Sequence, residues 1–356
     1  MSDELRIRQC IQDLPGYKAG TRAQAVPGFT PFKLSSNENP ISPLPSVVSV
    51  IADAAESINR YPDPLATELT NRLAEKFDVD PSCIALGTGS VGVCQQIVQA
   101  LCDAGDEVIF AWRSFEAYPI ITTIAGAVSV RVALTASGEH DLPAMASVIT
   151  ERTRVIFVCT PNNPTGSVVK HSDLIEFIAK VPKHILVVVD EAYVEFNRDK
   201  GAVDGLEALK AFKNVAVLRT FSKAYGLAGL RVGYLIGPEK LAQAVRKTAV
   251  PFGVSSLAQA AAIASLDHED ELLDRVDSLV ELRTWFESEL LSLGFDIPAS
   301  QANFVWLPLG DRSEEFAKQC TDVAVAVRTF SGEGVRISIG EREALEVLLP
   351  ICAQYV

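Results

Sequence analysis

The chain has 356 residues, of which 48% are hydrophobic and 22% are charged, and its formal net charge at pH 7 is −13. This length and apolar content allow a large buried core in two or three domains and give no sign of a disordered or fibrous protein. The acidic balance argues against nucleic acid or an anionic membrane surface as a partner. A phosphate-bearing ligand would therefore have to be held by a local group of N–H donors, hydroxyls and cations.

The N-terminus and the cysteines indicate the compartment. Residues 1–10, MSDELRIRQC, contain early acids and no apolar segment, so no secretory signal is predicted, and no apolar run is long enough for a membrane span. The seven cysteines contain no CxxC pair and the four histidines do not cluster. This pattern predicts reduced, mostly buried thiols and no metal site. We therefore expect a soluble cytoplasmic protein.

A segment rich in proline, glycine, serine and asparagine comes first in the chain. Within residues 1–45, the prolines of SSNENPISPLP exclude a long helix, which predicts an extended arm anchored by Phe29, Phe32 and Leu34. From about residue 46, helices and strands alternate. The predicted helices cover residues 47–61, 66–77, 91–102 and 238–248, and the predicted strands cover residues 83–86, 107–111, 128–134, 155–159, 185–190, 215–220 and 232–237.

Most of these strands are continuous apolar runs, such as VIFVC and ILVVVD. Strands buried on both faces and separated by helices indicate a mostly parallel sheet with helices on each side. After about residue 250 the pattern changes to a long charged helix over 269–293, followed by the short strands VAVAVRTF and GVRISIG. We predict an α/β fold with a large domain over 46–248 and a smaller α+β domain over 249–356, which the arm joins.

A glycine loop lies between a predicted strand and a predicted helix. Residues 87–92, GTGSVG, match the dinucleotide-binding pattern GxGxxG, so a dehydrogenase is one hypothesis for the function of the chain. However, the loop lies far from the N-terminus, and the acids Asp106 and Glu107 begin a strand where the pattern expects an acid at the end of one. The glycines still allow N–H groups at a helix N-terminus to approach an anion. We predict a phosphate site here, with an ordinary strand-to-helix turn as the alternative.

Four further segments end or follow a predicted strand: CTPNNPTG, VVVDEAYVEF, RTFSKAYGLAGLR and GVRISIG. Because ligands of open α/β sheets bind at the carboxyl ends of the strands, these segments are expected to converge. Lys223 would form a Schiff base with an aldehyde if its surroundings lower its pKa. Asp190 ends a buried strand and needs a cation there, such as a pyridinium nitrogen. Taken singly, a solvated lysine and a capping aspartate are the alternatives.

The neighbours of these two residues extend the hypothesis. The Tyr193 hydroxyl and the Asn163 amide are candidates to bind a phenolate oxygen on the same ring. Ser222 and Arg231 flank Lys223 and are candidate phosphate ligands. Arg336 lies inside an apolar strand and needs an anion, for which the α-carboxylate of an amino acid is suitable. A surface ion pair is the alternative for that arginine.

Together, TPNNPTG, VDEAYVEF, TFSKAYGLAGLR and GVRISIG resemble the fold-type I, class II aminotransferases, which use pyridoxal phosphate, and within them the histidinol-phosphate aminotransferase branch. The resemblance runs from SSNENP and RYPDP to the final strand and so covers nearly the whole chain. It implies a homodimer with active sites at the interface. It also implies that Lys223 binds the cofactor covalently and transfers the proton.

The resemblance also implies the roles of the remaining candidate residues. Asp190 would pair with the pyridine nitrogen, and Tyr193 and Asn163 would contact the phenolic oxygen. The implied phosphate ligands are Ser90, Val91, Ser222 and Arg231, and Tyr61 would reach the phosphate bound in the partner subunit. Phe115 would stack on the ring face. Arg336 would bind the substrate carboxylate, and Arg328 would lie near the substrate's distal group.

One departure from the family pattern bears on the substrate. The family's glycine loop often continues with acidic residues, whereas this chain has GSVG followed by VCQQ. With AWRSFEAYPI and SQANFVWLPLG, this resembles the actinobacterial subgroup of aromatic (phenylalanine) aminotransferases. The expected reaction moves an amino group between an aromatic L-amino acid and a 2-oxo acid such as 2-oxoglutarate. Phe29, Trp112 and Phe115 are candidates to line an aromatic pocket, with core packing as the alternative.

Three other functions stay open at this point. Histidinol-phosphate aminotransferase is the main alternative substrate assignment. The second is another reaction of the same cofactor, such as decarboxylation. The third is a non-enzymatic relative that keeps the cofactor as a ligand. The last is disfavoured because the lysine, the aspartate, the tyrosine and both arginines are all present.

Overall fold

The computed structural model describes residues 5–356. The first four residues, which belong to the predicted arm and to the segment considered as a secretory signal, lie outside the described part. Across residues 5–356, none of the helices combines the length and apolar character that a membrane crossing requires.

Eleven strands and thirteen α-helices are present in the described residues. The strands are β1 (Phe32–Leu34), β2 (Ile84–Gly87), β3 (Glu107–Trp112), β4 (Val128–Ala133), β5 (Thr153–Cys159), β6 (Leu186–Asp190), β7 (Val215–Thr220), β8 (Gly233–Ile236), β9 (Phe304–Leu307), β10 (Val325–Phe330) and β11 (Gly334–Ser338). The helices are α1 (Gln9–Gln12), α2 (Pro45–Ala55), α3 (Thr67–Phe77), α4 (Gly89–Leu101), α5 (Ala117–Ala125), α6 (Leu142–Ser147), α7 (His171–Lys180), α8 (Gly205–Ala211), α9 (Glu239–Lys247), α10 (Ser256–Asp267), α11 (Glu269–Leu293), α12 (Ser313–Asp322) and α13 (Arg342–Cys352).

The larger sheet has seven strands in the order β2-β8-β7-β6-β5-β3-β4. Strand β8 runs antiparallel to both of its neighbours, and the other pairs are parallel. All five residues of β6 are buried, as expected for a central strand covered on both faces. Helices α4, α5 and α9 cover one face and α6, α7 and α8 cover the other. The predicted α/β fold with a mostly parallel sheet is confirmed.

The smaller sheet has four strands in the order β1-β10-β11-β9. Strand β1, from the N-terminal segment, pairs parallel with β10, with Phe32 opposite Val325, and Leu34 is buried. Helices α11, α12 and α13 pack against this sheet. Phe29 does not anchor the segment, because 44% of its surface is exposed in a turn.

Candidate active site

A cavity of about 470 Å³ lies between the two sheets, at the carboxyl ends of β5, β6 and β7. The end residues of these three strands, Cys159, Asp190 and Thr220, all line it. The start of α4 and the β10–β11 hairpin close it from other sides. Of the residues predicted for a site, the following line this cavity: Ser90, Val91, Phe115, Asn163, Asp190, Tyr193, Ser222, Lys223, Arg231, Arg328 and Arg336.

Lys223 lies just beyond β7 with its amine facing the N-terminal segment. Its Nζ donates to the carbonyl oxygens of Ser36 (3.3 Å) and Asn37 (3.2 Å), and no carboxylate in the described chain pairs with it. Burial, followed by the nearby charge of Arg336, lowers the pKa of Lys223 to about 7. A large share of this lysine is therefore neutral, and nucleophilic, at physiological pH.

Asp190 ends β6 and is 2% exposed. Its Oδ2 accepts a hydrogen bond of 2.6 Å from the Tyr118 hydroxyl, and its Oδ1 accepts a longer one from the Ala192 amide. Burial raises the pKa of Asp190 to about 6, while the Tyr118 bond acts in the opposite direction. A buried carboxylate with no cationic partner is suited to bind a cation that enters the cavity.

The start of α4 forms a concave backbone surface beside Arg231. Gly89 has φ +75°, and a Cβ there would collide with the Arg231 guanidinium, while a Cβ on Gly233 would collide with the Ser90 backbone. Arg231 Nη1 donates to the Ser222 hydroxyl oxygen at 3.1 Å. N–H groups in the first turn of a helix have no partner within the helix, so this surface presents N–H donors and a guanidinium to an anion.

Arg336 projects from β11 into the opposite side of the cavity. Its Nη1 donates to Asn163 Oδ1 at 2.6 Å, its Nη2 donates to the Ser35 carbonyl at 2.9 Å, and its Nε is buried without a partner in the described chain. Burial lowers the pKa of Arg336. A buried guanidinium that has only neutral partners favours an incoming carboxylate, because such pairs are bidentate and charge-assisted.

Sequence reasoning did not single out several residues that line this cavity or contact its lining, among them Asn37, Tyr118, Glu116 and Tyr17. Asn37 donates from Nδ2 to the Tyr193 hydroxyl (3.0 Å), and Tyr118 binds Asp190. Glu116 pairs with Arg328, and Tyr17 lines the rim. Asn37 lies in the SSNENP segment and has φ +53°, a conformation that asparagine tolerates better than most residues. Glu116 and Tyr118 lie one and three positions after Phe115, so the segment around Phe115 carried the available signal.

Three of the predicted residues lie elsewhere. Tyr61 is 82% exposed and stacks on Phe252, with 4.5 Å between the ring centroids, outside this cavity. Phe29 and Trp112 do not line the cavity in the described chain, so the structure does not bring these two candidates to an aromatic pocket here. The Trp112 ring lines another cleft and makes cation–π contacts with Arg113 and Arg131, whose guanidinium carbons lie 4.3 Å and 4.4 Å from the ring centroid.

Comparison with known proteins places this cavity in context. The model of the family described as aminotransferase class I and II matches residues 30–350. The chain is 55% identical over 350 residues to an aromatic amino acid aminotransferase of Streptomyces coelicolor, covering 98% of this chain and 97% of the relative. It is 51% identical over 349 residues to an aromatic amino acid aminotransferase of Thermobifida fusca, covering 98% and 97%.

Solved structures share the architecture over most of the chain. A histidinol-phosphate aminotransferase from Sinorhizobium meliloti in complex with pyridoxal-5'-phosphate has a TM-score of 0.86 at 27% identity, covering 99% of this chain and 98% of that one. An aspartate aminotransferase from Thermus thermophilus, a single mutant, has a TM-score of 0.84 at 23% identity, covering 99% and 100%, and shares the fold.

Proposed function

The chain belongs to the class I and II aminotransferase family, and from that premise we propose that it is an aromatic amino acid aminotransferase. It would hold pyridoxal phosphate on Lys223 and transfer an amino group between an aromatic L-amino acid, such as phenylalanine, and a 2-oxo acid such as 2-oxoglutarate. The observation that carries the proposal is one cavity in which Lys223, Asp190 and Arg336 face an apolar wall.

The residues present fit pyridoxal phosphate. Asp190 is a buried carboxylate with a raised pKa, and within residues 5–356 no cationic side chain pairs with it, which suits a pyridine nitrogen. The glycine-lined start of α4, with Ser222 and Arg231, suits the phosphate, because a side chain at Gly89 would fill that space. The hydroxyl of Tyr193 and the amide of Asn163 line the same cavity and suit the phenolic oxygen.

The cofactor, when bound, supplies an aldehyde for the amine and an electron-withdrawing ring. Asp190 would hold the ring nitrogen in its protonated form, and Tyr118 would orient Asp190. Lys223 Nζ, with its pKa lowered to about 7, would take the proton from the substrate Cα and deliver it to the carbon that carries the cofactor's aldehyde group. A base with a pKa near the working pH combines the correct protonation state with a sufficient driving force.

Arg336 would bind the α-carboxylate of the substrate, assisted by Asn163. The side chain of the substrate would then face Phe115 and the apolar residues of α5 that line the cavity, Ile120, Ile121 and Ile124. An aromatic ring buried against such a wall contributes roughly 25 cal/mol for each Å² of apolar surface removed from water. This wall favours an aromatic over a small polar side chain.

We propose that the enzyme is a cytoplasmic homodimer. Tyr61, Leu65, Val250 and Phe252 are large exposed apolar residues; Tyr61 stacks on Phe252, and the other three line a wide cleft. Exposed apolar patches of this kind are typical of subunit interfaces. Tyr61 would reach the phosphate in the partner subunit. All seven cysteines are free thiols, which supports a reducing compartment.

The first experiment tests cofactor binding. Wild-type protein incubated with pyridoxal phosphate and reduced with borohydride should carry the cofactor on the peptide that contains Lys223, as measured by mass spectrometry. The Lys223→Ala variant should lose this label and its visible absorbance. A matched control is Lys18→Ala, because Lys18 lines the same cavity. Labelling that disappears in the control and persists in Lys223→Ala would contradict the assignment.

The second experiment tests the substrate. Single-turnover half-reactions should give a larger kcat/KM with phenylalanine than with histidinol phosphate. A large preference for histidinol phosphate would replace the proposed function with that of a histidinol-phosphate aminotransferase, the function named for one of the solved structures.

A further inference from the structure

Two arginines face each other at the cavity end of the β10–β11 hairpin. Arg328 and Arg336 are directly opposite in the antiparallel register, and both are buried and line the cavity. Like charges that are directly opposite on neighbouring strands destabilise a sheet. Each guanidinium therefore needs an anion, either from the protein or from a ligand.

The protein supplies an anion to one of these arginines. Arg328 Nη2 donates to both carboxylate oxygens of Glu116, at 2.7 Å and 2.9 Å, although the two residues are 212 positions apart. Glu116 precedes α5 in the large domain, whereas Arg328 lies in the small sheet. Within residues 5–356, no carboxylate forms an ion pair with Arg336, whose partners are the Asn163 amide oxygen and the Ser35 carbonyl.

Helix α5 also provides the apolar wall of the cavity. Ala117, Ile120, Ile121 and Ile124 follow Glu116 and line the same space. Glu116 therefore lies where the apolar wall meets the arginine pair. Its side chain is 26% exposed, and that of Arg328 is 10% exposed, so this ion pair is screened from water far more than an ordinary surface pair.

We propose that Glu116 sets substrate preference by reserving Arg328, so that the cavity offers one uncompensated arginine and favours aromatic substrates, whose side chain is uncharged, over dianionic partner substrates such as glutamate and 2-oxoglutarate. The inference rests on the proposed function and adds the reason for its selectivity. The α-carboxylate would use Arg336. The second carboxylate of glutamate or 2-oxoglutarate would have to displace Glu116 and leave the Glu116 carboxylate unpaired at the cavity wall, which lowers kcat/KM for these substrates without excluding them.

The test uses the holoenzyme and a double-mutant cycle. Half-reactions with phenylalanine and with glutamate, which carries a second carboxylate, give the ratio of the two kcat/KM values. We expect Glu116→Gln to raise the glutamate-to-phenylalanine ratio at least tenfold, because Arg328 becomes available. The double variant E116Q/R328Q should lose this gain. Glu333→Gln is the matched control, since Glu333 lies on the same hairpin and pairs with Arg113 outside this cavity.

A binding measurement gives a result that does not depend on turnover. Wild-type protein should bind 3-phenylpropionate at least tenfold more tightly than glutarate by calorimetry, and E116Q should narrow that difference. Three results would overturn the inference. The glutamate-to-phenylalanine ratio of kcat/KM in E116Q could stay within twofold of the wild-type ratio, or the rise in this ratio could persist in E116Q/R328Q. The wild type could also bind glutarate more tightly than 3-phenylpropionate. A wild type that transaminates neither amino acid defeats the proposed function, and the calorimetry then still decides the role of Glu116.

Discussion

Tyr118 donates a 2.6 Å hydrogen bond from its hydroxyl to Oδ2 of Asp190; Asp190 lines the cavity, and Tyr118 is buried behind it. The tyrosine ring stacks on Phe157, with 4.5 Å between the centroids, so its position is fixed by the core of the large sheet. The orientation of the carboxylate thus depends on a side chain on α5. We regard Tyr118 as a positioning residue.

The first prediction concerns this bond. Hydrogen bonds to charged groups contribute about 1.5–3 kcal/mol, so Tyr118→Phe should weaken pyridoxal phosphate binding by roughly tenfold or more. The bond also lowers the pKa of Asp190, which lies at about 6 in the wild type. Loss of this hydrogen bond should therefore raise the pH below which the affinity for pyridoxal phosphate falls, as measured by cofactor titrations at several pH values. Tyr234→Phe, in a buried tyrosine outside the cavity, should leave that pH unchanged.

The second prediction concerns the stability of the cofactor-free protein. The pKa of Lys223 falls from 10.5 to about 7 on folding, so between these values the unfolded chain binds a proton that the folded chain does not. Stability from this group therefore rises with pH through that window. Lys223→Met should raise Tm most below pH 7, and the advantage should shrink towards pH 10.5. The exposed Lys210→Met serves as the control. A pH-independent advantage would contradict the prediction.

The third prediction tests the phosphate site at the start of α4. Gly89→Ala should raise the dissociation constant for pyridoxal phosphate at least tenfold, because the new methyl group would displace the Arg231 guanidinium. The positive φ alone costs about 1–2 kcal/mol of stability for an alanine. Gly105→Ala separates the two effects, since Gly105 has φ +90° and open space at its Cβ. Equal losses of affinity in both variants would show that backbone strain is responsible.

The fourth prediction tests the proposed role of Tyr61 across a subunit interface. Lys223→Ala and Tyr61→Ala should each be inactive at low cofactor concentration, and co-refolding of the two should restore activity. Random pairing makes half of the dimers hybrids, each with one intact site, so about a quarter of wild-type activity is expected. A mixture that remains inactive would show that Tyr61 serves its own subunit or has no role at the site.

The fold and the centre of the site were predictable because local signals agree with the global structure. Continuous β-branched runs such as Val187–Val189 have the pattern of strands buried on both faces, and the chemically active residues follow the strand ends. Asp190 and Lys223 therefore could be placed together before any contact was known. The family predicted from the motifs is confirmed by the match over residues 30–350.

Other features depend on packing that a sequence does not display. Helix α10 is rich in alanine and has no apolar periodicity, and α5 contains a proline and several β-branched residues, so neither was predicted. The helix predicted over 47–61 ends at Ala55, because residues 56–60 are exposed and no packing stabilises further turns. Tyr118 was missed because its partner, Asp190, lies 72 positions away.

The N-terminal strand has a consequence for how the protein is made. Asn37 binds Ser338, and Ser35 binds Arg336, in each case across 301 positions. During synthesis the N-terminal segment leaves the ribosome first, yet its partners in β10 and β11 are among the last residues to appear. Contacts between such distant residues form slowly, because a long loop must close before they contribute. The active site is therefore assembled only after almost the entire chain has been translated.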